Sequence, residues 1–391
     1  MPHPDVVIIG GGIVGCACAY SLAAAGARVT LLERGPLGAG ASRAGMSHVV
    51  TWEEPEAHLR LARASQKLYE SLCLELPEDI EYRRTGSLAV VETPEGLPAM
   101  RAMLARLQAF GVDCRMLDNA ELRQMEPALA PDLPGGAHFP GDGMVNPLLT
   151  TQALARAARR LGVRIQPFHE VTGIERGAGG GVTAVRTIQE RIPAGAVVIA
   201  AGAWSAALGA MAGVRLPVQP RKGILAVTAP VAADFLRVKV ILSAGYMDTV
   251  KAGGGSKGAA VAANIQQVKN GNLLLGSTRQ FAGFDERVDP DVARQMLSRC
   301  LRFLPGLERL QVIRMWAGLR PATPDLLPVI GPVCSAPGLY IAAGHEGIGI
   351  TEAPITGKLI RQLVLGEETE FDVRELGPDR FEENEGQGKN E

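Results

Sequence analysis

The chain has no charge excess of either sign. Forty Lys and Arg stand against 41 Asp and Glu, a formal net charge of −1 over 391 residues. Composition therefore gives no electrostatic reason to expect nucleic acid or an anionic membrane as partner. The expected partner is a small molecule or another protein. The six cysteines, Cys16, Cys18, Cys73, Cys114, Cys300 and Cys334, contain no Cys-x-x-Cys and no zinc-type spacing with the six histidines. Reduced core thiols in a cytoplasmic protein, with no bound metal, are the expectation. Residues 6–27 carry no charge, yet no Lys or Arg precedes them and three glycines at 10–12 would break a spanning helix near its start. The stretch reads as a buried strand, a turn and a helix, and no transmembrane segment is expected.

What is present alternates cleanly. DVVIIG (5–10) is a buried strand, GGIVGCACAYSLAAAG (11–26) a small-residue helix, and ARVTLLE (27–33) a second buried strand. Two parallel strands so close in sequence need a right-handed crossover helix of this length. EPEAHLRLARASQKLYESLCLEL (54–76) reads as one amphipathic helix. The stretch from about 80 to 144 mixes short strands such as GSLAVVE with a helix at 95–111, and NPLLTTQALARAARRLG (146–162) is a further helix opened by Pro147. A second βαβ-like signal spans VRIQPFHEVTGIER (163–176) and AGAVVIAAGAWSAALGAMAG (194–213). From Leu216 to about Met315 the pattern is strand-rich, with KAGGGSKGAAVAA (251–263) as a loop or hairpin tip. From Trp316 the chain returns to the first pattern, a loop, the strand GLYIAAG and a helix ending near Leu365, before an acidic tail frayed at its end.

This order predicts an α/β protein in which one cofactor domain is assembled from three chain segments and a second lobe from the two between them. The cofactor domain takes 1–80, 145–217 and 318–371, the substrate-binding lobe 81–144 and 218–317, and the tail 372–391.

Gly10-x-Gly12-x-x-Gly15 follows a strand and opens a helix. Gly10 permits the tight turn, Gly12 lets a pyrophosphate approach the backbone, and Gly15 lets helix and strand pack closely. Glu33 ends the second strand, where an acid accepts hydrogen bonds from a ribose. The loop alone does not separate NAD from FAD. A fingerprint within ten residues of the first methionine and a second strand and turn, VVIAAGAWS (197–205), without another Gly-x-Gly-x-x-Gly, favour a single FAD.

DVVIIGGGIVG with Glu33, GASRAGM (40–46), VVIAAGAWS, WAGLRPATPDLLPVIG (316–331) and GLYIAAGHEGIGI (338–350) together resemble the FAD-dependent D-amino-acid oxidase family, also called the glutathione-reductase-2 type. The resemblance covers nearly the whole chain in order. It implies a Rossmann-like FAD-binding domain interleaved with an α+β substrate-binding domain built on an antiparallel sheet. WAGLRP is similar to glycine oxidases. The loop AAGHEGIGI and PDRF (378–381) are more similar to the β subunits of heteromeric D-hydroxyproline, proline and opine dehydrogenases and to hydrogen cyanide synthase.

By this resemblance the cofactor contacts are Gly10, Gly12, Ile13, Val14, Gly15, Glu33 and Arg34, then Ala41, Ser42, Arg43, Gly45 and Met46 at the pyrophosphate, and Val171 at the adenine. Ala201, Gly202 and Trp204 follow, Trp204 as contact or as packing. Gly318, Arg320, Gly344, His345, Gly347, Ile348, Gly349 and Ile350 complete the set near the flavin ring. Relatives that link flavin covalently use a cysteine or a histidine at places where this chain has Pro321–Asp325 and Asn146, so non-covalent FAD is expected.

Arg320 is the expected clamp for a substrate carboxylate, because a guanidinium fork matches a carboxylate with two hydrogen bonds. The alternatives are a pair with Asp325 or a phosphate. His345 and Glu346 do not form His-Glu-x-x-His, so a zinc-protease reading fails; they read as pocket wall, or His345 as a residue satisfied by backbone at a helix start. His48 and Tyr246 are further pocket candidates. Glycine oxidases usually carry an arginine in the HEGIGI loop, whereas Glu346 and Gly347 stand here. The expected activity is oxidation of a secondary amino acid or N-substituted amine by the catalytic subunit of a heteromeric dehydrogenase. The alternatives are a self-sufficient glycine, sarcosine or D-amino-acid oxidase that makes hydrogen peroxide, and a non-catalytic flavin-holding subunit of an electron-transfer complex.

Overall fold

The computed structural model describes residues 5–51, 56–245 and 258–381. Tyr246 and residues 251–257 of the glycine-rich tract lie outside them. Val6–Ile9, Val29–Glu33 and Ala196–Ile199 are aliphatic runs buried along almost their whole length. Such strands suit the middle of a parallel sheet covered on both faces. They form the centre of a six-stranded sheet ordered Val329–Pro332, Leu339–Ala343, Ala196–Ile199, Val6–Ile9, Val29–Glu33, Arg164–Pro167. Val329–Pro332 runs antiparallel to its neighbour, and the other pairs are parallel.

Helices Ile13–Ala24 and Gly349–Leu365 cover one face of this sheet and pack against each other. The first carries small residues, Gly15, Cys16, Ala17, Cys18 and Ala19, through its middle, which keeps it thin there. Gly357 allows the approach, since a Cβ there would lie 2.6 Å from the Ala17 carbonyl oxygen. Gly366, at φ +70°, ends the second helix in the left-handed conformation that favours glycine.

The second lobe is an eight-stranded sheet ordered Val312–Ala322, Gln219–Thr228, Leu273–Arg279, Ala260–Gln267, Val240–Ser243, Ser87–Val91, Gly135–Phe139, Arg115–Asp118. It is antiparallel except where Val240–Ser243 runs parallel to Ser87–Val91. The α/β class and the interleaving of a parallel cofactor sheet with an antiparallel one are as the sequence predicts.

Several local expectations differ. The helix Pro290–Phe303 lies inside the stretch read as strands, although Asp289 caps it by accepting from the Asp291 and Val292 N–H groups. Its amphipathic period was masked by strands on both sides. The segment after Pro167 is not a second βαβ unit. Val171–Arg176, Val182–Thr187 and Arg191–Pro193 form a three-stranded antiparallel sheet, and the glycine run 177–181 is its first hairpin. Ala260 to Ala263 begin a strand. Val312–Ala322 continues unbroken through position 318, so the loop expected from Trp316 is strand. The tail is docked as far as residue 381: Arg380 makes two hydrogen bonds to Asp325, at 2.7 and 3.2 Å, and donates to the Leu327 carbonyl at 3.0 Å. Phe381 packs on the core beside the central strands.

Gly357→Ala places its methyl against helix backbone that has nowhere to move. It should destabilise the fold by about 1–3 kcal/mol in urea denaturation, as overpacking does, while Gly366→Asn, at an open left-handed site, should cost less.

Candidate active site

One cavity of about 560 Å³ runs from the glycine loop of the parallel sheet to the strands of the antiparallel one. That volume lies within the range of cofactor and ligand clefts. At its first end, Gly10 has φ +116° and a Cβ there would lie 2.4 Å from the Ala200 carbonyl oxygen. A Cβ at Gly15 would lie 1.9 Å from the Gly10 oxygen. Gly15 therefore packs under the turn and does not line the cavity. Helix Ile13–Ala24 opens without a side-chain cap from Gly12. Instead Ile13 N–H donates to Ser42 Oγ at 3.0 Å, which seats the 40–46 segment against the helix start. Glu33 accepts from Gly11 N–H at 2.7 Å and from Gly35 N–H at 2.8 Å, one with each oxygen. Each oxygen keeps acceptor capacity for a sugar hydroxyl.

Midway along, Arg34 lies 4.0 Å from the centroid of the Trp204 ring, and Trp204 stacks on Phe284 at 5.4 Å. Trp204 is thus both packing and wall. Val14, Ala41, Arg43, Gly45, Met46, Val171, Ala201 and Gly202 also line the cavity.

At the far end, the last parallel strand delivers Gly344, His345 and Glu346 to the start of helix Gly349–Leu365. Gly344, at φ +81°, makes the turn and is off the cavity wall, whereas His345, Glu346, Gly347, Ile348, Gly349 and Ile350 are on it. The Thr351 hydroxyl donates to the His48 carbonyl at 3.0 Å, binding the helix start to the short strand His48–Val49, which pairs with Gly143–Met144. His345 Nε2 meets Thr356 Oγ1 at 2.9 Å, and burial pulls its pKa down to about 3. Burial does the same to His48, to about 4. Both imidazoles are neutral at physiological pH.

Glu346 is the least expected group. Its φ is +46°, its N–H donates to the Pro321 carbonyl at 2.9 Å, and its side chain is 7% exposed. Three guanidinium groups surround the carboxylate: Arg279 at 3.1 Å, Arg221 at 3.5 Å and Arg320 at 3.9 Å. Burial alone would raise its pKa, but Arg279, then Arg320 and Arg221, outweigh this and hold it at about 2. It is a counterion, and a carboxylate so held is unsuited to proton abstraction.

Arg320 donates from Nη1 to the Thr278 carbonyl at 2.9 Å and lines the cavity with Gly318. Asp325, its alternative partner, is bound to Arg380. Arg221 and Arg279 escaped sequence reasoning because neither sits in a motif. Asn264, Ser277 and Phe284 of the wall were missed for the same lack of pattern.

The residues present fit an extended dinucleotide with a ring at one end. The phosphate end offers glycine backbone and a helix start whose N-cap, Gly12, carries no side chain. The wall near the other end carries two buried polar atoms without a partner among the described residues, His48 Nε2 and Asn264 Oδ1. The profile of the family described as "DAO: FAD dependent oxidoreductase" matches residues 5–363.

The chain belongs to the DAO family.

Among its members, it is 34% identical over 378 residues to the glycine oxidase of Geobacillus kaustophilus, covering 94% of this chain and 95% of that one. It is 32% identical to the hydrogen cyanide synthase subunit HcnC of Pseudomonas aeruginosa, covering 97% and 96%. The crystal structure of the L-proline dehydrogenase from P. horikoshii superimposes with a TM-score of 0.89 at 26% identity, covering 98% and 99%. As a DAO-family member the protein is an FAD-dependent oxidoreductase. Among the described residues no helix is long and apolar enough to cross a membrane.

With folded pKa values of about 3 and 4 against an ordinary value near 6.5, His345 and His48 contribute stability that is present above pH 6.5 and lost as the pH falls through the folded values. NMR of the imidazole carbons should show neither ring titrating above pH 5, and acid unfolding of His345→Asn should be less steep than that of the wild type.

Proposed function

We propose that the protein oxidises the C–N bond of a secondary amino acid or N-substituted amine to an imine, with Arg320 holding the substrate carboxylate. The observation that carries this reading is Arg320 itself. It is a partly buried guanidinium on the cavity wall, anchored through one edge to the Thr278 carbonyl, at the end of the cavity remote from the phosphate loop. A bidentate guanidinium grip fixes both position and plane of a carboxylate, and orientation is the main contribution a protein makes to such a reaction.

FAD, held without a covalent bond, supplies the hydride acceptor. The chain's own residues then have three tasks. The glycine loop, Ser42, Glu33 and Arg34 hold the phosphate and ribose end. The start of helix Gly349–Leu365 lines the cavity, and its positive end would favour the negative charge that collects on a bound flavin on reduction. Arg320 and the neutral His48 and His345 frame the substrate. The amine must lose its proton before hydride can leave the neighbouring carbon, and water can take that proton without a strong base on the protein.

A secondary amine is favoured because the HEGIGI loop carries Glu346 where glycine oxidases usually carry arginine, and because an L-proline dehydrogenase shares the whole fold. Action within a heteromer is supported by the likeness to HcnC, itself a synthase subunit. The six free cysteines suit a reducing cytoplasm. The second reading, a self-sufficient glycine or sarcosine oxidase, is favoured by the 34% identity to a glycine oxidase; peroxide production by the isolated chain selects it, and activity with dye acceptors alone selects the dehydrogenase.

Anaerobic mixing with D-hydroxyproline, proline, sarcosine, glycine and opines should bleach the flavin with at least one, and bleaching by none would sink the proposal. Arg320→Ala should then lower kcat/KM for that substrate by about 3 kcal/mol, roughly a hundredfold. Acid precipitation should leave the yellow colour in the supernatant, since a coloured pellet means a covalent link.

A further inference from the structure

We infer that Glu346 and Gly223 are positioning residues for Arg320, the first as the counterion that lets three guanidinium groups share one buried place, the second as the seat its guanidinium rests on. The inference depends on the reading that Arg320 binds the substrate carboxylate.

Strands Gln219–Thr228 and Val312–Ala322 pair so that Arg221 lies directly opposite Arg320 and Gly223 opposite Gly318. Like charges directly opposed on neighbouring strands repel. Arg279 ends the next strand on the same sheet and adds a third positive charge. Arg221 and Arg279 are each 1% exposed at the side chain, so solvent does not screen them, whereas Arg320 is 17% exposed. Of the three, Arg320 is the one that lines the cavity. The Glu346 carboxylate, reaching over from the other sheet, meets all three at 3.1, 3.5 and 3.9 Å.

Two further details belong to this arrangement. Glu346 holds a left-handed φ of +46° immediately before Gly347, a conformation that favours glycine. A glutamate stands there because its carboxylate is needed, and its N–H anchors the same loop to Pro321, the residue after Arg320. Gly223 lines the cavity, and a Cβ on it would lie 2.0 Å from Arg320 Nη1. All three nearest atoms to that Cβ belong to the Arg320 guanidinium. A methyl there displaces the end of one side chain and leaves the backbone alone. The strand pair has thus given up a side chain at 223 so that a guanidinium can lie flat across it.

The experiment uses the FAD-loaded enzyme with acetate as a carboxylate probe, its dissociation constant read from the flavin absorbance change. Steady-state kinetics with the amine that bleaches the flavin and an FAD dissociation constant for each variant accompany it. Gly223→Ala and Glu346→Gln should each weaken acetate about tenfold or more and raise KM more than they lower kcat, with FAD affinity within about twofold of wild type. Glu346→Asp, which keeps the charge, should recover part of the loss. A loss of FAD affinity in step with acetate affinity would mark a structural role only and overturn the inference. If Arg320→Ala leaves acetate binding unchanged, the clamp reading fails and this inference with it. If Arg320→Ala weakens acetate but Gly223→Ala or Glu346→Gln binds it like wild type, the clamp stands and that residue's positioning role is overturned. Should Glu346→Gln fail to fold, Gly223→Ala decides alone.

Discussion

A single carboxylate between three guanidinium groups governs how the two sheets meet at the far end of the cavity. Moving a charge out of water costs several kcal/mol unless it is paired, and Glu346, Arg221 and Arg279 are all buried. The pairing offsets that cost for Glu346 and for both buried arginines. Glu346 rides on the loop after the last strand of the parallel sheet; the arginines ride on three adjacent strands of the antiparallel sheet. Their pairing therefore fixes the sheets' separation at this point, and with it the distance between the helix start expected beneath the ring and the arginine expected above it.

The opposite end of the cavity is shaped by the reverse condition, the absence of side chains. The Gly10 and Gly15 positions leave backbone in contact with backbone at distances no Cβ would permit, and Gly357 does the same between the helices beneath. Close packing of this kind is stiff. On the proposed placement, a stiff glycine floor at the phosphates and an ionic cross-brace at the ring end would hold a long cofactor at two points while the second lobe's strands roof the space between.

The DAO family members to which this chain is similar are named for glycine, proline and hydrogen cyanide chemistry. Changing what is oxidised requires changing side chains on a sheet face and one loop. Changing the cofactor would require rebuilding backbone.

Much was readable from the chain alone where chemistry is local. Gly10, Gly12, Gly15 and Glu33 could be placed because a strand, a turn and a helix within 30 residues leave few ways to arrange them. The interleaving of the two lobes followed from the same alternation recurring at 196–211 and 339–365. His345 and Glu346 were placed on a wall by resemblance, but their states were not. Which charge Glu346 faces depends on strands 67 and 125 residues away, and no periodicity encodes that. The helix Pro290–Phe303 and the docking of Arg380 on Asp325 were also lost: the first lies between strands in a strand-rich stretch, the second is a contact across 55 residues. Local propensity and turn chemistry, which act over a few residues, thus determined the cofactor fold. Electrostatic pairing and burial, which act through space between segments the sequence keeps apart, decided the substrate end.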